Sequence, residues 1–194
     1  NAHRGKDNSL LLLLSSASAH VIWTNGKESL NVTDHVAKYG IASLLVYPGD
    51  NWITNQPIAL VENQDLVFNA RNYFERMDIE GCVLYYSGWL SNKLLCWLNE
   101  KTRAPSYLIM PDYDLVGIKN YLRAKQSLGD IVDIYIPSNL AMMIKKYGDA
   151  KKLESMTDRT AIETSEDKKA LELYRLLLDC GKGIDQESLM LYNQ

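Results

Sequence analysis

Between Ile58 and Tyr147 the chain switches four times between two apolar rhythms, and that alternation limits the possible folds more than any other feature. Ile58-Ala-Leu-Val61, Cys82 to Tyr86, Ser106 to Met110 and Ile131 to Ile136 are short, largely apolar runs of strand length. The first is followed by Leu66, Val67, Ala70, Tyr73, Phe74 and Met77, which share one helical face. Leu90, Leu94, Trp97 and Leu98 form a second stripe, Ile118, Tyr121 and Leu122 a third, and Pro137-Ser138 leads into a fourth helix through Tyr147. A strand that is apolar on both sides must be covered on both sides. Strands of that kind, separated by helices, are expected to pair in parallel. The pattern therefore predicts an α/β, Rossmann-like sandwich over residues 57–150, with a roughly four-stranded parallel sheet.

The flanks read differently. Residues 1–56 are expected to be a small N-terminal α/β extension. His20-Val-Ile-Trp23 and Ser29-Leu-Asn-Val32 flank Asn25-Gly26, a pair suited to the positive φ angles of a type I′ hairpin turn. Thr33 is placed to cap a short helix ending near Gly40, and Leu44 to Tyr47 reads as a strand. The Leu10–Leu14 run fits a buried strand or helix, or a contact surface for residues upstream. Asn1-Ala2, with no initiator methionine, reads as the remnant of a cleaved tag. Residues 151–194 are expected to form a helical appendage. Thr164 to Asp167 supplies a capping signal, Leu171, Tyr174, Leu177 and Leu178 form a stripe, and Gly181 and Gly183 interrupt it.

Composition removes several classes. No apolar run exceeds the five leucines, too few to cross a bilayer or to serve as a secretory leader. Cys82, Cys96 and Cys180 are odd in number and lack C-x-x-C spacing, so neither a disulfide framework nor a zinc knuckle is expected, and a reducing cytoplasm suits them. His3, His20 and His35 have no ligand spacing. P-loop, dinucleotide-binding and hydrolase-elbow signatures are missing from the sequence. A net charge of −3 provides no global pull on nucleic acid, but residues 119–152 hold seven bases against three acids. Within that segment Lys119, Arg123, Lys125, Lys145 and Lys146 are candidates to hold a phosphate backbone.

In a parallel sheet, functional side chains collect past the carboxyl ends of the strands. Glu62-Asn63, Ser87-Gly88, Asp112-Tyr113-Asp114 and Pro137-Ser138-Asn139 stand at those positions. Three carboxylates thus share one edge, with no histidine or cysteine. Like charges about 4 Å apart cost roughly 4 kcal/mol at an effective dielectric near 20 unless a cation joins them. Oxygen-only donors favour Mg²⁺ or Mn²⁺. The plain alternative is that all three are solvated loop acids. Tyr113 alternates away from the aspartates and is expected to pack, while Gly117 would let the next helix approach closely.

At these residues a family resemblance enters. Ile-Ala-Leu-Val-Glu62-Asn63, then Tyr-Tyr-Ser-Gly88, then Pro-Asp112-Tyr-Asp114-Leu-Val-Gly117 resembles the Toprim domain of topoisomerases, primases and nucleases. More narrowly it resembles the C-terminal region of the JetD family, the nuclease subunits of Wadjet plasmid-defence systems. That region is itself similar to the A subunit of type IIB topoisomerases. Gly183-Ile-Asp-Gln-Glu187-Ser-Leu189 resembles the glutamine-glutamate motif that follows the fold in that group, so the likeness spans residues 57–190. It implies Mg²⁺- or Mn²⁺-dependent cleavage of DNA. Asp112 and Asp114 would bind the ion, Glu62 would be a ligand or general acid/base, and Glu187 would complete a second metal position. The implied partners are DNA and subunits of an SMC-type ATPase complex. Val116 stands where topoisomerases carry another acid, and residues 1–56 look too small for a winged-helix domain bearing a nucleophilic tyrosine; both favour hydrolysis. Asp112-Tyr-Asp114-Leu-Val116 also fits the D-x-D-x-[TV] pattern of haloacid-dehalogenase-like phosphatases, although there the pair follows the first strand. An inactive Toprim module acting as a structural partner is the non-enzymatic alternative.

Overall fold

A computed structural model of the chain describes residues 8–18, 20–154 and 158–188. Asn1-Ala2 and His3, and Leu189 at the end of the late motif, lie outside the described residues. The chain begins with β1 (Leu10–Ser16), β2 (Ile22–Thr24), β3 (Ser29–Asn31), α1 (Val32–Tyr39) and β4 (Ala42–Val46). The alternating region follows as β5 (Ile58–Val61), α2 (Gln64–Phe68), α3 (Ala70–Arg76), β6 (Cys82–Tyr85), α4 (Asn92–Asn99), β7 (Tyr107–Met110), α5 (Leu115–Leu128), β8 (Val132–Ile134) and α6 (Leu140–Tyr147). Helices α7 (Lys151–Glu154), α8 (Thr160–Glu163) and α9 (Lys168–Cys180) complete it.

The four expected parallel strands are present, but the sheet holding them has six, in the order β4-β1-β6-β5-β7-β8. β5 pairs in parallel with β6 on one side and β7 on the other, and β8 extends the run beyond β7. The leucine run is β1, antiparallel to both β4 and β6. The N-terminal lead-in therefore shares the main sheet through the β1–β6 ladder. A run of five leucines carries no period, so neither its type nor its remote partners could be read from spacing.

All four residues of β5 are buried, as a central strand covered on both faces demands. Ile58 and Leu60 join one core with Leu14, Leu84, Ile109 and the inner faces of α4, α5 and α9. Ala59 and Val61 join the other with Val83 and Met110 beneath Leu66, Val67 and Phe74 of α2 and α3. Each fully buried aliphatic side chain contributes roughly 1.5–3 kcal/mol before chain entropy is counted. The helices after β5 thus lie on one face, and those after β6 and β7 on the other. Strand order reverses between β5 and β7, where such a sheet opens a crevice at its carboxyl edge.

Three local details differ from expectation. The hairpin pairs Thr24 with Ser29, leaving a four-residue loop in place of a two-residue type I′ turn. Asn25 turns its side-chain oxygen onto the N–H groups of Lys27 and Glu28, which closes the loop without relying on Gly26 alone. Asn31, not Thr33, caps α1 by accepting from Asp34 N–H, while Thr33 Oγ1 accepts from Val21 N–H. The expected single helix after β5 divides at Asn69 into α2 and α3. At the other end Asp167 caps α9 and Gly181 ends it in the left-handed region at φ 63°. Among the described residues no helix is long and apolar enough to cross a membrane, and Cys82, Cys96 and Cys180 are free thiols.

Candidate active site

Glu62 is the first residue past β5, and its N–H still donates to Met110 O of β7 at 3.3 Å. The ladder between the two strands therefore runs up to the carboxylate itself. Asn63 then starts α2, its side chain accepting from the N–H groups of Asp65 and Leu66. On the β7 side, Asp114 is the N-cap of α5 and accepts from Gly117 N–H at 2.8 Å. A Cβ on Gly117 would stand 1.9 Å from Asp112 O and 2.9 Å from Pro111 Cβ, so only glycine lets α5 start this close to the strand end. Tyr113 is fully buried and donates its hydroxyl to Tyr135 O, the packing role expected of it.

The carboxylates crowd one another. Glu62 Oε2 accepts from Asp112 N–H at 3.2 Å and from the Tyr86 hydroxyl at 3.4 Å. Burial, and then the negative charge of Asp112, push the Glu62 carboxyl up to about 7; Asp114 adds to the rise. Asp114 is also raised by burial, against the opposing hydrogen bond from Gly117 N–H. Tyr86 is buried and faces the same charges, which hold its phenol well above the ordinary range. It sits on the loop side of β6, where Asn120 of α5 fixes the chain by donating to Gly88 O and accepting from Leu90 N–H.

Two residues without an assigned role in the sequence reading complete the cluster. Lys152 of α7 places its ammonium 2.8 Å from Asp112 Oδ2 and also pairs with Asp185. Burial works against its charge, yet its hydrogen bonds to Asp112 and Asp185 hold its pKa above the usual lysine range. Gln186 is fully buried. Its side chain accepts from Asn63 N–H at 2.9 Å and donates to Met110 O at 2.6 Å, while its own N–H donates to Asp112 Oδ1 at 2.8 Å. The segment carrying it lies against the aspartate loop through paired backbone bonds between Tyr113 and Ile184. Gly183 makes this approach possible: a Cβ there would meet Tyr113 O and Lys152 Cβ, each at 2.9 Å. A lysine ninety positions beyond Glu62 carries no spacing signal, and the resemblance that brought the Gly183–Leu189 motif to the site assigned the role to Glu187 and none to Gln186.

The chemistry of the donors fits a hard divalent cation. They are oxygen-only, and Glu62 and Asp114 both carry the mark of too much negative charge in too little water. The present arrangement is not a ready chelate. Among the described residues no three His, Cys, Asp or Glu side chains gather to hold an ion, because Asp112 is turned onto Lys152 and Gln186 and Asp114 onto its helix. Glu187 is exposed on the turn after Gln186, so of that motif it is the glutamine that turns inward.

The candidate backbone-binding bases fall into two groups. Lys119 bonds to Asp158, Lys125 to Asp167 and the Tyr121 hydroxyl, and Arg123 to Leu90 O and Asn92 while stacking 4.2 Å over the Trp89 ring. With a rise of about 1.5 Å per residue, these three also lie progressively farther along α5 from its capped end. Lys145 and Lys146 are exposed in the last turn of α6. There the chain enters the Asp149–Gly183 bridge beside the carboxylates. Compared with known proteins, the chain matches no family model and no curated protein.

Proposed function

We propose that this chain is a divalent-cation-dependent phosphodiesterase that hydrolyses DNA, with a Toprim-like site built on Glu62, Asp112 and Asp114. The observation that carries the reading is that these carboxylates stand at the ends of neighbouring parallel strands, at the point where strand order reverses, with Glu62 Oε2 accepting from Asp112 N–H. Asp112 and Asp114 would hold the ion. Bound there, Mg²⁺ or Mn²⁺ would polarise a phosphate and lower the pKa of a water molecule. Glu62, held near neutrality, is suited to take a proton from the attacking water or return one to the leaving oxygen. Gln186 keeps the two strand ends at a fixed spacing, and Tyr86 orients Glu62 by donating to its Oε2.

DNA as the substrate is supported by the order of sequence motifs. Exposed Lys145, Lys146 and Lys151 beside the site add a modest basic surface. So small a patch suits a nuclease brought to its substrate by other subunits, such as those of an SMC-type ATPase complex. The test is conversion of supercoiled plasmid to nicked or linear forms with Mn²⁺ or Mg²⁺. Asp112→Ala and Glu62→Gln are each expected to abolish it, and cleavage that survives both would remove the assignment. Hydrolysis of small phosphate esters with covalent labelling of Asp112 would instead favour the phosphatase reading.

A further inference from the structure

We infer that Lys152 is the resident counter-cation of the carboxylate cluster and that a divalent ion enters only by displacing it. The inference rests on the reading above, because it concerns the same cluster. A metal ion bound to Asp112 would sit about 2.1 Å from a carboxylate oxygen. The Lys152 ammonium already lies 2.8 Å from Oδ2 of that carboxylate, and Oδ1 is taken by Gln186 N–H. Two cations on one oxygen repel, so occupancy by one excludes the other.

The lysine has both a built support and an exit. Its backbone N–H donates to Asp149 O, and Asp149 is tied to Gly183 by bonds in both directions. The tight packing of Gly183 on Lys152 Cβ fixes the root of the side chain. Asp185, half exposed, is a second partner that can keep the ammonium once Asp112 is given up. The pair with Asp112 is itself reached by solvent, each side chain being about one-fifth exposed. Exchange therefore requires a side-chain swing and not an opening of the fold. Lys152 thereby sets the cation concentration at which the site fills.

The experiment is Mn²⁺ binding to the whole chain, followed by the electron paramagnetic resonance of free Mn²⁺, with thermal unfolding as a check on folding. Lys152→Gln and Lys152→Met are each expected to bind Mn²⁺ about tenfold more tightly than the parent, or about 1.4 kcal/mol. Asp112→Asn should lose that binding. A generally loosened site would bind less tightly, so a gain in affinity is specific to displacement. If the parent binds Mn²⁺ and both lysine variants bind equally or less well, the displacement is wrong and the cation-dependent reading stands. If none of the three binds, both fall together.

Discussion

Gln186 N–H donates to Asp112 Oδ1 at 2.8 Å across 74 positions of sequence, and through that bond the C-terminal segment becomes part of the strand-end cluster. The same residue's side chain reaches Asn63 N–H at the end of β5 and Met110 O at the end of β7. Asn63 N–H lies beyond the strand ladder and would lose its partner if Gln186 were removed, whereas Met110 O would keep only its bond from Glu62 N–H. One amide thus joins the two strands that carry Glu62 and Asp112. The spacing of those carboxylates is a property of the tertiary fold and not of either strand alone.

Gln186→Leu should therefore destabilise the chain by about 1–3 kcal/mol, since Asn63 N–H loses its partner and Met110 O one of its two bonds. Gln186→Glu keeps an acceptor for Asn63 N–H but places an oxygen opposite Met110 O. It should fall between the parent and Gln186→Leu below the pH at which the new carboxyl ionises, and approach Gln186→Leu above it. Urea unfolding at two pH values separates these outcomes. Equal stability of parent and Gln186→Leu would show that the bridge contributes little.

Gly117→Ala should be among the most damaging single-methyl additions to the chain. The new Cβ would lie 1.9 Å from Asp112 O, so α5 must retreat from the strand end. Overpacking of this kind costs about 1–3 kcal/mol and sometimes more. In a chain of this size that is a fall in Tm of about 2–12 °C. Because the obstacle is Asp112's own carbonyl, the shift should also displace the Asp112 carboxylate and weaken Mn²⁺ binding.

Asp114 serves both the fold and the proposed site, and two substitutions part these roles. Asparagine caps a helix about as well as aspartate does, whereas alanine costs about 1 kcal/mol. Asp114→Asn is expected to unfold within about 0.5 kcal/mol of the parent yet lose cation-dependent cleavage. Asp114→Ala should lose both. Full cleavage by Asp114→Asn would show that its role is confined to capping α5.

The sequence made the parallel core legible because β5, β6 and β7 are apolar on both sides and their helices carry clear stripes. It also pointed to Glu62, Asp112 and Asp114, since strand ends can be located wherever strands can. What remained hidden has a common cause in distance. β1 and β4 widen the sheet through pairings that no local period encodes, and a leucine run looks the same in a strand or a helix. Lys152 and Gln186 reach the cluster only because the chain returns past Asp149 and Gly183 to lie against Tyr113. Charge counting placed Lys119, Arg123 and Lys125 together with Lys145 and Lys146. Helical geometry sets the first three apart, since they lie along α5 progressively farther from its capped end.

Glu62 provides a pH signature whose sign follows from its environment. Its carboxyl titrates near 4.5 in an unfolded chain and at about 7 in the folded one, raised by burial first and by Asp112 next. Between those values the folded state binds the proton more tightly. The native chain is therefore favoured at the acidic end of this window, and the contribution is lost as pH rises through 7. The full shift corresponds to about 3 kcal/mol, but a carboxyl still partly reached by water should retain only about 1–2 kcal/mol of it. Glu62→Gln removes the cost of charging that position. It should match the parent below about pH 4 and exceed it by about 1–2 kcal/mol at pH 8, measured by urea unfolding without added metal. Millimolar Mn²⁺ should narrow that gap by stabilising the parent's carboxylates. A Glu62→Gln chain no more stable than the parent at pH 8 would mean that Glu62 is not strained by its neighbours, and its place as proton carrier would go with it.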